Sequence, residues 1–254
     1  MFTGYTAVIV LKYLLTSAFL LQACIMDLKE RRVPNRLWKY MVIVLFPLEV
    51  FEFLNYGFFD LIFGVIQFAL VFALAYGLYY IGAYGGADAK ALMVLSFLFP
   101  VYPVLRVGSV TVPYLNTGFG VFAFSILSNS VIVAPALVLV LFLRNLIKEG
   151  IKNLRGNIFY YFIGYRVDVD AIPRFHNLLE YIDVRGKIVR LRRGIEPDEA
   201  ILYRLKKAHE KGKISKVWVT PGLPFLIFIT AGFFIAIFLG NLLFELISIF
   251  LSLF

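Results

Sequence analysis

Five apolar stretches constrain this chain more than anything else in it: roughly Tyr5 to Met26, Leu61 to Gly82, Ala89 to Leu105, Phe119 to Leu143 and Leu223 to Leu243. Crossing a hydrocarbon core takes ~20 helical residues, so each of the five is long enough to span it or nearly so. Lipid offers the backbone no hydrogen-bond partners, which leaves helices as the fitting structure for such runs. A sixth stretch, Leu37 to Tyr56, carries Pro47, Glu49 and Glu52. Both acids fall near one end, and proline is tolerated in membrane helices, so this stretch also counts as a span. The expected fold class is therefore an all-α polytopic membrane protein with six transmembrane helices. Composition agrees: 61% of residues are hydrophobic and 16% charged, against about a quarter charged in soluble domains. The first run lacks a basic flank before it and a small-residue cleavage site after it, so it reads as a retained helix, not a cleaved signal peptide. Lys12, inside that run, is expected to snorkel outward.

The charges are unevenly placed. Of 25 Lys and Arg residues, five lie in Lys29 to Lys39 and 17 between Arg144 and Lys216. The net charge of +9 is accounted for by the bias of basic residues toward cytoplasmic loops, so nucleic acid is not an expected partner. That bias places the amino terminus outside, with "DLKERRVPNRLWK", "YGGADAK" and everything from Arg144 to Lys216 inside. The expected localisation is a multi-pass protein of the cell membrane, its basic regions cytoplasmic. Between Arg144 and Lys216 the pattern changes. "GKIVRLRR" alternates like a strand, and "EPDEAILYRLKKAHEKGK" runs from acids to lysines and then Gly212, as a helix does. The expected domains are a membrane core at 1–143, a small α+β cytoplasmic insert at 144–218, and the sixth transmembrane helix at 219–254. Trp218 is placed at the membrane interface, and anionic lipid is a plausible partner of the basic insert.

Two acids stand out. Asp27 directly follows the first span, in "ACIMDLKERRVPNR", and Asp88 follows a glycine turn, in "YGGADAK". Either alone reads as an interfacial acid, softened by Arg31 in the first case and by the helix dipole in the second. Two spans separate them, however, so both return to one face of the membrane. Each is also flanked by stiffening or turning residues: Val33-Pro34-Asn35 after one, Gly85-Gly86 before the other. Paired carboxylates can hydrolyse a peptide bond without a metal, one taking a proton from water while its protonated partner polarises the carbonyl. The carboxyl end of a helix disfavours charge and the amino end favours it, so Asp27 is the expected acid and Asp88, near Lys90, the base. No metal or cofactor is expected. The single cysteine, Cys24, permits no disulfide within the chain and reads as a small core residue. His176 and His209 read as solvated, and Ser125, Ser128 and Ser130 as packing residues. Two other readings remain open: an ion-coupled transporter using membrane-edge acids, and an anchor for the basic insert.

Together "DLKERRVPN" at 27–35 and "GGADAK" at 85–90 resemble the archaeal preflagellin peptidase branch of the type IV prepilin peptidase family, membrane aspartyl proteases of the GxGD type. The resemblance extends to "VWVTPGLPFLIFITAGFFIA" near the carboxyl end. It implies Asp27 and Asp88 as the catalytic pair, with Pro34, Asn35, Gly85, Gly86 and Lys90 as supporting residues. It further implies removal of a short basic leader from archaellins or pilin-like precursors at the cytoplasmic face. Ala87 departs from the family pattern, standing where a second glycine is usual. The chain also lacks the paired cysteines and glycine-rich cofactor loop of the bacterial branch, so cleavage without methylation is expected. Flexible glycine loops near the pair suggest a resting form in which the carboxyls share no proton.

Overall fold

The computed structural model describes residues 4–55, 57–107 and 109–253. In chain order, the first half holds α1 (Gly4–Glu30), α2 (Asn35–Phe53), α3 (Phe58–Tyr80), α4 (Gly86–Leu98), β1 (Leu105–Val107), β2 (Val110–Val112) and α5 (Phe122–Val133). Next come α6 (Ala136–Glu149), α7 (Ile158–Ile163), β3 (Tyr165–Asp168), β4 (His176–Ile182), β5 (Ile188–Ile195), α8 (Glu199–Glu210) and β6 (Lys216–Pro221). The chain ends with α9 (Leu226–Phe238) and α10 (Leu242–Ser252). It divides into two compact units, one formed by residues 1–134 with 224–254 and the other by residues 135–223.

Three helical stretches among the described residues are long and apolar enough to cross a membrane: Gly4–Glu30, Phe58–Tyr80 and Phe122–Glu149. A fourth arises if α9 and α10, bent by 62° at their junction, count as one. The expected six are therefore not all matched by single long helices. The differences have local causes. At 13 residues, α4 is only ~20 Å long, and the chain after it turns into the β1–β2 hairpin. The last apolar run breaks at Gly240, whose φ of +107° is open to glycine and costly to other residues.

Antiparallel pairing of α1 and α2 organises the first unit. Helix α1 stops at Arg31, which adopts φ +54° and returns its amide to the Asp27 carbonyl at 3.0 Å. Pro34 then caps α2 with extended backbone, fitting proline's fixed φ and its missing donor at a helix start. Far from this turn, Lys12 is buried between Glu49, 2.5 Å away, and Glu52. The expectation that Lys12 snorkels outward is thus overturned. Helix α2 brings two acids to the same depth, and a buried ammonium held by carboxylates has no reason to seek the surface.

Elsewhere in this unit, α5 and α9 pack closely, with Gly232 set against the Ile126 carbonyl and Ser130. At the α9–α10 bend, Asn129 donates to the Gly240 carbonyl at 2.8 Å and accepts the Leu242 amide at 2.9 Å. Asn241 bridges Ser125 and Ser128 while capping α10. The serines of α5 are accordingly part of a network that satisfies a broken helix, a role beyond simple packing.

The second unit builds a four-stranded antiparallel sheet in the order β3-β6-β4-β5. Helix α8 lies against it through Ile201, Leu205 and Ala208, the residues whose spacing marks one helical face. Asp198 caps this helix, accepting the Ile201 amide at 2.6 Å. Trp218, expected at a membrane interface, is instead buried in β6 with Tyr160, Tyr161 and Leu179; strand alternation turns its ring inward. Neither histidine is simply solvated. His176 pairs with the Tyr165 hydroxyl at 2.8 Å, and His209 with the Ile214 carbonyl at 2.8 Å.

Candidate active site

Asp27 lies on the last turn of α1 and Asp88 on the first turn of α4, and both are buried, at 8% and 6% exposed. They belong to the same unit, close enough for the charge of Asp27 to act on Asp88. Among the described residues, no hydrogen bond joins the two carboxyls. Arg31, one turn after Asp27, is the charge that acts on it most directly.

The glycine turn shapes the surroundings of Asp88. Gly85 precedes α4 with ordinary extended backbone, φ −70° and ψ 159°, and donates its amide to Asp88 Oδ2 at 3.1 Å. An acid at the third helical position reaching back to the amide before the helix satisfies a donor that the helix itself cannot. A Cβ on Gly85 would lie 3.2 Å from that same Oδ2, so a side chain here would press on the carboxylate. Gly86 has more room, its added Cβ meeting only Tyr79 at 3.6 Å. Ala87, the departure from the family pattern, is the second residue of α4 and packs on the core. Its backbone is helical, so a side chain is accommodated without strain.

The two acid-bearing segments are tied together directly. Lys90 on α4 donates to Asn35 Oδ1 at the start of α2, at 2.7 Å. Pro34 and Asn35 thus lie in the turn after Asp27, Gly85 and Lys90 contact Asp88 and Asn35 respectively, and Gly86 makes no contact with the carboxyl.

A third element borders the site that sequence reasoning missed. Cys24, three residues before Asp27, places its Sγ 3.0 Å from Thr230 Oγ1 and 3.5 Å from the Leu226 carbonyl. The Leu226 amide, in turn, is near enough to act on the Asp88 carboxyl. Asp88 Oδ1 is nevertheless buried with no partner of normal hydrogen-bond geometry. Tyr84 stacks on Phe225, ring centroids 4.7 Å apart. The first turn of α9 therefore lies beside both acids. Cys24 on the face of Asp27 was the available signal, but nothing in the sequence links it to position 226.

Comparison with known proteins identifies the family. The profile of the type IV leader peptidase family matches residues 14–165, which is more than half of the chain. The chain belongs to the type IV leader peptidase family. A second profile, the archaeal peptidase A24 carboxyl-terminal region of type II, matches residues 156–242. Similar proteins include the preflagellin peptidase of Methanococcus voltae, 28% identical over 90% of this chain and 94% of that one. The preflagellin peptidase of Methanocaldococcus jannaschii is 26% identical over 92% and 95%. This leader peptidase is thus a protease with several apolar helices. Both acids fall within its first matched region, and the first turn of α9 falls within the second.

Proposed function

We propose that this leader peptidase is an aspartic endopeptidase that removes short basic leaders from preflagellins or type IV pilin-like precursors. Asp27 and Asp88 would be its catalytic pair. The observation that carries the reading is the burial of both carboxyls at helix ends, with Lys90 on the helix of Asp88 bonded to Asn35 at the start of α2, after the turn that follows Asp27. Family membership supplies the reaction class, and the names of the two relatives supply the substrate class.

In the reaction one carboxylate takes a proton from water as the oxygen attacks the scissile carbonyl. The other, protonated, donates to the carbonyl oxygen, and the proton taken from water finally reaches the departing amine. The helix ends favour Asp27 as acid and Asp88 as base, whereas burial pushes the Asp88 carboxyl up to about 6 and favours the reverse order. The unshared carboxyls fit a resting form in which substrate and water complete the pair. The bias of basic residues toward cytoplasmic loops supports the cytoplasmic face for this chemistry and for the basic insert; basic residues there would favour anionic lipid headgroups.

The test is cleavage of a leader-bearing archaellin or pilin precursor by membranes containing the full chain, scored by size. Asp27→Asn and Asp88→Asn are each expected to abolish processing at normal expression. Activity surviving either change defeats the reading.

A further inference from the structure

Asp88 is held on one side and open on the other. Oδ2 accepts the Gly85 amide, whereas Oδ1 is buried without a partner. The first turn of α9 borders this carboxyl, and its Leu226 amide acts on it without closing a normal hydrogen bond. That amide belongs to the first residue of α9, where helix geometry leaves backbone donors free and the dipole favours a negative partner.

Something must set how near this amide comes. On the α1 side, Cys24 Sγ meets the Leu226 carbonyl and Thr230. On the α4 side, the contact is made by the segment before Asp88. Tyr84 immediately precedes Gly85, and its half-buried ring lies nearly parallel to Phe225, with 24° between the planes. Burial first, and the charge of Asp88 second, hold the Tyr84 hydroxyl above the usual tyrosine range, which keeps the ring neutral beside the carboxyl. Phe225 in turn accepts the Ile229 amide at 3.0 Å, so it is locked into the start of α9.

We propose that the Tyr84–Phe225 stack is a positioning clamp that ties the glycine turn before Asp88 to the first turn of α9 and thereby sets the approach of the Leu226 amide to the Asp88 carboxyl. Neither ring is assigned a contact with substrate; both act through the backbone beside them. The inference rests on the reading of Asp88 as catalytic.

The test uses the full-length protein in detergent, cleaving a leader-bearing precursor, with Tyr84→Leu, Phe225→Leu, Tyr84→Phe and Phe225→Tyr. Leucine keeps apolar volume and removes the stack. Both leucine variants are expected to lose about 10- to 100-fold in kcat, the scale of a small misplacement at a reacting centre, with KM within about twofold. The limb of the pH–rate profile governed by Asp88 should also move to higher pH. Weakening an N–H contact to a carboxylate favours its protonated form, so the direction is the same whether Asp88 serves as base or acid. Tyr84→Phe and Phe225→Tyr keep the stack and should keep rate and profile. A leucine variant with an unmoved profile, or a Tyr84→Phe variant as damaged as Tyr84→Leu, overturns the clamp. Asp88→Asn run in parallel separates the two claims. If it stays active, the assignment of the site fails; if it is inactive while the leucine variants behave normally, only the clamp fails.

Discussion

Gly85 and Gly86 are neighbours of the same type, yet the structure asks different things of them. A methyl group at 85 would press on Asp88 Oδ2 from 3.2 Å, whereas one at 86 would make an ordinary contact with Tyr79. Gly85→Ala is therefore expected to lower kcat by about 10- to 100-fold through displacement of the carboxylate, and Gly86→Ala to stay within about twofold. Steady-state cleavage of one precursor by both variants checks this, and equal losses would show that closeness to Oδ2 is not what position 85 protects. At this scale the acids were legible because an aspartate beside a membrane run is costly and therefore conspicuous. The Leu226 amide was not legible, since a backbone donor leaves no trace in residue identity. Lys12 was misread for a related reason: a lone lysine in an apolar run looks like a snorkelling one until its partners, 37 and 40 residues away, are folded onto it.

At the scale of elements, the α1–α2 hairpin connects that buried cluster to the site. Lys12 and Asp27 are separated by ~22 Å along α1, and Glu49 lies a similar distance along α2 from Asn35. One end of the hairpin is thus pinned by charge and the other by the turn through Pro34. Removing only the cation leaves two buried carboxylates facing each other. Lys12→Met is expected to destabilise the protein by about 3–5 kcal/mol, and the triple variant Lys12→Met, Glu49→Gln, Glu52→Gln to recover most of it. Thermal unfolding in detergent measures both; a triple variant no more stable than the single one would mean that the cluster does not act as a unit. The stretch from Leu37 to Tyr56 was the weaker span because it carries Pro47, Glu49 and Glu52, and the two acids are the residues that bind it to α1. Helix α4 and the α9–α10 bend were harder to read, because hydropathy reports apolar length but not where a glycine or a hairpin interrupts it.

Across the whole molecule, the fold divides the chain into residues 1–134 with 224–254 and residues 135–223. The second unit carries the basic insert on a sheet and helix; the alternation at 186–193 falls on β5 (Ile188–Ile195), and the run from acids to lysines at 196–213 on α8 (Glu199–Glu210). Sidedness is the claim that belongs to this scale, and one buried native cysteine makes it accessible to labelling. Val184, in the link after β4, is 86% exposed, and Asn55, after α2, is also exposed. With an impermeant maleimide on intact cells, Asn55→Cys should react, and Val184→Cys should react only after permeabilisation. The opposite pattern would place the proposed catalytic centre on the wrong side for positive-inside topology.

The position of α9 in the chain carries a further consequence. A polypeptide still leaving the ribosome has inserted Asp27 and Asp88 long before residue 226 exists. The wall beside Asp88 is thus made well after the two acids, and the surroundings of that carboxyl are complete only once the chain has been synthesised through α9.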